Sequence, residues 1–379
     1  MSTETPIQWY SLDNILSKKC QYNMIIGERS NGKTYAVLSY ILRQYKETGK
    51  QGALIRRFDD DIKPNKLDTI FNHIVSNGDV RKLFRKHGDW TGITYRNRRF
   101  YLCKKVEKED KKHNIITEDK VVDETPFMYA FSLSQEEDYK ENAFPNVTSI
   151  FFDEFLTRKF YLEDEFVHFM NLISTIKRKR QDTTIFMCAN TINMYAPYFK
   201  EMGITHIKSM KKGCIDIYQY GDSDLRVAVE YADSLAKTKK DIDKYFCFDN
   251  PKLKMITQGE WEFDIYPHCP MKYRPMDVQC IYFIEFEGEL VQCEVVNCND
   301  SWFTFIHRKT TPIRDTDSDI IFSKDVHPNI NYRTRISKPI DELGKRIWWF
   351  YVADKVFYQD NEVGEMIRNY LLWSNGLSD

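Results

Sequence analysis

Short apolar runs alternate with helix-spaced apolar positions along the first part of the chain. Tyr22–Ile26 is such a run and ends at Gly27, the pattern of a buried strand entering a loop. Val37, Leu38, Ile41, Leu42 and Tyr45 then recur at helical spacing and predict a helix over Lys33–Lys46. Gly49 and Gly52 close it, and Ala53–Phe58 predicts a second strand. Strand, loop, helix and strand in that order make the βαβ unit of a parallel sheet.

Asp59–Pro126 breaks this rhythm. Asp68–Ser76 and Val80–His87 have helical spacing, Gly92–Tyr95 and Arg99–Cys103 predict a hairpin across Arg96–Arg98, and Ile115–Val122 adds strand pairing. The segment is expected to decorate the core as an insertion. The core pattern resumes with strands at Phe127–Leu133, Thr148–Phe152 and Thr183–Ala189. Between the last two, Phe166, Phe169, Met170, Ile173 and Ile176 predict a long amphipathic helix over Phe160–Lys179 with a basic C-terminal end. Met194–Met202 predicts a short helix, and Cys214–Tyr218 and Leu225–Tyr231 predict later strands.

Ala232–Lys244 is polar and reads as a linker, after which the texture changes. Cys280–Phe286, Glu289–Asn297 and Ser301–Arg308 alternate as an antiparallel meander, with turns at Glu287-Gly288 and Asn299-Asp300. Ile340–Tyr358 and Asn361–Leu372 predict two closing helices. The expected organisation is an α/β domain over 1-231 with an insertion at about 59-126, a linker over 232-265, and a smaller α+β domain over 266-379.

Composition narrows this only a little. Among 379 residues, 42% hydrophobic and 29% charged supports a packed core and argues against wholesale disorder. A net charge of −1 excludes a simple polycation, so nucleic-acid contact would need local clusters such as Lys104–Lys112, Lys177–Arg180 or Lys208–Lys212. Each of these reads equally as a solvated face. The nine cysteines form no Cys-x-x-Cys pair and lack a suitably spaced histidine, a poor metal signal that fits reduced, buried thiols better. No leader pattern and no run of eighteen apolar residues occurs, so no membrane is expected and the cytoplasm is.

The candidate chemistry changes the picture more. Gly27-Glu28-Arg29-Ser30-Asn31-Gly32-Lys33-Thr34 matches the Gly-x4-Gly-Lys-Thr phosphate loop, set between a buried strand and an amphipathic helix. Glycines let the backbone wrap so that amides face phosphate oxygens, and the helix adds its free N-terminal amides. Lys33 supplies charge for the β- and γ-phosphates, and Thr34 offers a hydroxyl to Mg2+. About 120 residues downstream, the apolar strand Ser149–Phe152 is tipped by Asp153 and Glu154. Asp153 suits the Mg2+ shell, and Glu154 can orient and polarise a water, which points to hydrolysis.

A further strand between the motifs and a catalytic Glu place the chain in the ASCE branch of P-loop NTPases, with a mostly parallel sheet and helices on both faces. ATP is the expected nucleotide. Asn190 ends the strand after the acidic one, as a γ-phosphate or water sensor or as a strand-end cap. Arg178 could reach a neighbouring subunit's nucleotide or compensate a helix dipole. Arg180, Lys140 and Arg158 could do the same, and Arg56-Arg57 ends the second strand as a base or phosphate contact or as a surface pair.

Together, Phe131-Ser132-Leu133-Ser134, Lys140, Ala143–Val147, Ile150–Phe155, Cys188-Ala189-Asn190 and Pro197-Tyr198-Phe199 resemble the DNA-encapsidation ATPase of small podoviruses. The likeness covers the N-terminal two-thirds, and the C-terminal part matches only in size and strand-rich texture. It implies a homo-oligomeric ring, expected to be a pentamer, that drives double-stranded DNA through a capsid portal and can require a structural packaging RNA. It places the protein in the host cytoplasm, transiently at the portal vertex and outside the mature virion. Gly27–Thr34 and Asn190 would bind ATP, Thr34 and Asp153 would hold Mg2+, and Glu154 would activate water. Lys140 and Arg178, with Arg180 as a further candidate, would act on the neighbouring subunit's ATP. The C-terminal domain would be a vestigial RNase H-like nuclease that binds DNA, RNA or the portal. Two alternatives are a terminase-like ATPase with a live nuclease and a nucleotide-gated DNA-binding switch.

Overall fold

The computed structural model describes residues 9–29, 31–110, 115–157, 161–190, 196–233, 266–269, 271–286 and 288–376. The chain divides into two compact units.

The larger unit is built on a ten-stranded sheet. Its strands are β1 (Tyr22–Gly27), β2 (Gln51–Arg56), β3 (Gly92–Arg96), β4 (Arg99–Asp110), β5 (Ile115–Val122), β6 (Met128–Ser132), β7 (Val147–Asp153), β8 (Thr184–Asn190), β9 (Ile215–Gln219) and β10 (Arg226–Tyr231). They lie in the order β3-β4-β6-β2-β7-β8-β1-β10-β9, with β5 paired to β4. From β6 to β10 every pairing is parallel, and β1, β2 and β7 are buried almost throughout, as their largely apolar sequences require. The helix Lys33–Thr48 follows β1 and buries Val37, Leu38, Ile41 and Leu42. Gly52 on β2 leaves room for it, since a Cβ there would stand 2.5 Å from Ile41 Cγ2.

Several expectations shift. The insertion joins the sheet, because β4 pairs antiparallel with β6 and carries β3 and β5. The strand expected between the two motifs in sequence is present as β6, while in the sheet the strand between β1 and β7 is β8. The helix predicted over Phe160–Lys179 runs only over Glu165–Lys177, starting after a left-handed Asp164. Most of the expected linker, residues 234–265, and the start of the short helix at Met194 lie outside the described residues.

The smaller unit holds a six-stranded sheet in the order β15-β14-β11-β12-β13-β16. The meander β11 (Val278–Phe286), β12 (Glu289–Cys298) and β13 (Ser301–Arg308) is antiparallel. Two parallel strands, β14 (Ile320–Ser323) and β15 (Tyr332–Arg333), extend it beyond β11. The predicted helix Ile340–Tyr358 is a helix only over Glu342–Val352. Asp354 takes positive φ, and Val356–Tyr358 turns back as β16 beside β13. Asn361–Ser374 is the closing helix.

Candidate functional site

The carboxyl ends of β1, β8, β7 and β2 are neighbours in the sheet, so their terminal residues gather at one edge, where parallel α/β sheets bind ligands. Gly27, Asn190 and Asp153 are the last residues of β1, β8 and β7. The phosphate loop leaves β1 and enters its helix at Lys33. Gly32 caps that helix at φ 94°, a left-handed backbone that favours glycine.

Lys33 is 5% exposed and its ammonium donates inward. It bonds Glu28 O at 2.6 Å, Asn31 Oδ1 at 3.0 Å, Gly27 O at 3.3 Å and Asn190 Oδ1 at 3.5 Å. Those acceptors hold the amine where a triphosphate would meet it, and burial lowers it to about 8. Thr34 Oγ1 donates to Asp153 Oδ1 at 3.1 Å, joining residues 119 apart in sequence. Burial raises the Asp153 carboxyl, while Arg56 pulls it back down. Glu154 turns out of the strand at φ 61°, anchored by its own N–H to Cys188 O at 2.9 Å. A non-glycine residue in that region stores strain that the surrounding structure must hold. Gly27, Glu28, Arg29, Asn31, Gly32, Lys33, Thr34, Asp153, Glu154 and Asn190 therefore lie in one region, while Ser30 is outside the described residues.

A family model described as the podovirus DNA encapsidation protein (Gp16) matches residues 6–108 and 95–241. The chain belongs to this family. The DNA packaging proteins of Bacillus phages PZA and phi29 are each 28% identical to it over 194 residues, 50% of this chain and 49% of theirs. The chain thus spans about half the length of the curated relatives it matches. The solved bacteriophage Phi-29 viral genome packaging motor assembly is similar in fold, at TM-score 0.58 and 19% identity over 96% of this chain and 99% of that one.

In this encapsidation-family chain the residue least expected in the site is Arg56. It ends β2, next to β7, and its guanidinium spans both acids: Nη2 to Asp153 Oδ2 at 2.6 Å and Nη1 to Glu154 Oε2 at 2.9 Å. The sequence held a signal, an arginine at a strand end, but no hint of its partners. Arg57 faces the other way and is buried. Its fork takes Glu165 at 2.6 and 2.9 Å, and it donates to Phe155 O at 2.8 Å and Glu154 O at 3.3 Å. Arg57 therefore fixes the turn that presents Glu154.

The other basic residues stand apart from this region. Lys140 is half exposed and paired with Glu137 and, at 4.0 Å, with Glu136. Arg178 caps the helix Glu165–Lys177 and donates to Asn142 O at 2.9 Å. Arg180 donates to Val147 O at 2.6 Å, Pro145 O at 3.0 Å and Phe144 O at 3.1 Å. Val147 begins the strand that Asp153 ends, so this arginine lies about 20 Å from Asp153 at the rise of an extended strand. Arg158 lies outside the described residues. No helix among the described residues is long and apolar enough to cross a membrane.

Proposed function

We propose that this chain hydrolyses ATP to drive double-stranded viral DNA through a portal into a preformed capsid, working as a ring. Membership of the encapsidation family supports the substrate, and the relatives that match are named DNA packaging proteins. The observation that carries the chemistry is the Thr34–Asp153 hydrogen bond beside Lys33 and Glu154.

Lys33 would exchange its loop carbonyls for the β- and γ-phosphates. Thr34 and Asp153 are paired oxygen donors suited to a hard cation, and Mg2+ held by them would supply charge neutralisation at the phosphate oxygens. Glu154 would orient a water in line with the γ-phosphorus and take its proton as the bond to the β-phosphate oxygen breaks and ADP leaves. In the structure Arg56 occupies that carboxylate, so hydrolysis requires Arg56 to release Glu154 when nucleotide enters. Asn190, whose Oδ1 accepts from Lys33, would sense what the lysine binds.

Charge compensation across a subunit boundary would come from Arg178, with Lys140 beside it on the sequence-derived assignment. Arg180 fits that part less well, because main-chain carbonyls engage its guanidinium. We assign residues 1-231 as the motor domain and 266-379 as a nuclease-like domain that contacts DNA, a packaging RNA or the portal without cutting.

The test is ATP turnover with and without double-stranded DNA, run beside Mn2+-dependent plasmid cleavage. The motor reading expects DNA-stimulated turnover and intact plasmid. Turnover indifferent to DNA would favour a nucleotide-gated switch, and cleavage would favour a terminase-like nuclease. Mixing Arg178→Ala with Lys33→Ala subunits should restore some activity. No rescue between variants that assemble normally would remove Arg178 from the trans role.

A further inference from the structure

Trp9 carries a large apolar ring and is 60% exposed, yet it is not loosely placed. The indole lies against the phosphate loop. A Cβ built on Gly32 would come within 3.3 Å of Trp9 Cε3 and 3.6 Å of its Cβ. The neighbouring residue ties the segment down at both ends. Tyr10 N–H donates to Asn31 O in the loop at 3.1 Å, and Tyr10 Oη donates to Glu230 Oε2 on β10 at 2.5 Å. Burial pushes the Tyr10 phenol well above its ordinary range, so it stays a neutral donor. An exposed tryptophan held by its neighbour's backbone against a phosphate-binding glycine is a preformed flat surface beside the loop.

We propose that Trp9 is the base platform of the nucleotide site and that its indole stacks on the purine of a bound nucleoside triphosphate. The inference rests on the triphosphate reading of the Gly27–Thr34 loop. Once that loop fixes the phosphates, the ribose can carry the base only a short distance, and Trp9 borders the loop. Aromatic rings stack on bases through their faces, which reads no hydrogen-bonding edge. The platform therefore separates nucleotides from bare polyphosphate and does not separate adenine from guanine. Glycine at position 32 serves twice: it takes the left-handed turn, and it lets the indole approach.

The experiment compares Mg2+-supported binding of ATP, GTP and inorganic tripolyphosphate to the full chain by calorimetry, for wild type, Trp9→Ala and Trp9→Phe. Trp9→Ala should weaken ATP and GTP alike by about tenfold, the scale of one base–aromatic stack, and leave tripolyphosphate within about twofold. Trp9→Phe should keep most of the nucleotide affinity. Equal losses for all three ligands, or no loss for ATP, would overturn the platform, the first by showing that Trp9 acts only through the loop's shape. If the wild type binds none of the three, the triphosphate reading itself falls, and the platform with it. If it binds all three equally, only the platform falls.

Discussion

The strand β7 has an arginine at each end, and the two are held by different kinds of partner. At its carboxyl end Arg56 bonds two side chains, Asp153 and Glu154. At its amino end Arg180 bonds main-chain carbonyls of Phe144, Pro145, Val147, Ile176 and Lys177, with the half-exposed Asp182 carboxylate further off at 3.6 Å. Carboxylates can be taken over by a cation or turned toward water, so an arginine that holds them can be exchanged. Carbonyls at a strand entry move only if the backbone does. The same residue type therefore serves as a releasable counter-charge at one edge of the sheet and as a fixed brace at the other. Arg57 adjoins Arg56 in sequence yet belongs with the braces, since its partner Glu165 has a side chain with no exposure.

The comparison predicts a graded series of losses. Arg57→Ala should cost most, about 3–5 kcal/mol by urea denaturation, because it strands the buried Glu165 carboxylate. A loss under about 1 kcal/mol would mean that the pair is not a brace. Arg180→Ala should cost about 1–3 kcal/mol, for the carbonyls it leaves, with nucleotide affinity unchanged. Lowered affinity with unchanged stability would reverse its assignment. Arg56→Ala should cost less, up to about 2 kcal/mol, because Glu154 is exposed and the buried Asp153 keeps its bond from Thr34, and it should also alter turnover. If it destabilises as much as Arg57→Ala, the contrast between releasable and fixed arginines fails.

The smallest effect lies in the other unit. Hydrogen bonds from His307, at 3.3 Å, Tyr273 and Gln292 hold the Glu294 carboxyl down to about 2. Its folded value is below its unfolded one, near 4.5, so its stabilisation is present above about pH 4.5 and lost as pH falls toward about 2. His307 is raised, so its share is present below its ordinary value near 6.5 and lost as pH rises through the folded value. Glu294→Gln should flatten the acid limb of a stability–pH curve, and an unchanged limb would remove the cluster from that role.

How much of this was legible in the sequence depends on how local each signal is. The phosphate loop and the acid pair are written in contiguous residues, and β1, β2, β7 and β8 appear as largely apolar runs. Strand order is not local. Nothing in Thr184–Asn190 says that it lies between β1 and β7, or in Arg99–Cys103 that it pairs with β6. Short elements were missed for the same reason, since Ile320–Ser323 is too brief to show a period. Val356–Tyr358 looked helical until the break at Asp354 separated it from Glu342–Val352. Arg56 and Arg57 are indistinguishable in sequence. Strand alternation sends one toward the site and the other into the core, and only their partners give each a role.

In the proposed mechanism Glu154 activates water at a site where Lys33 and Thr34 bind the triphosphate. The most direct test measures ATP turnover and ATP affinity on the same preparation of Glu154→Gln. Turnover should fall by about 10²–10⁴-fold with affinity held near wild type. Turnover within a few-fold of wild type would contradict that mechanism.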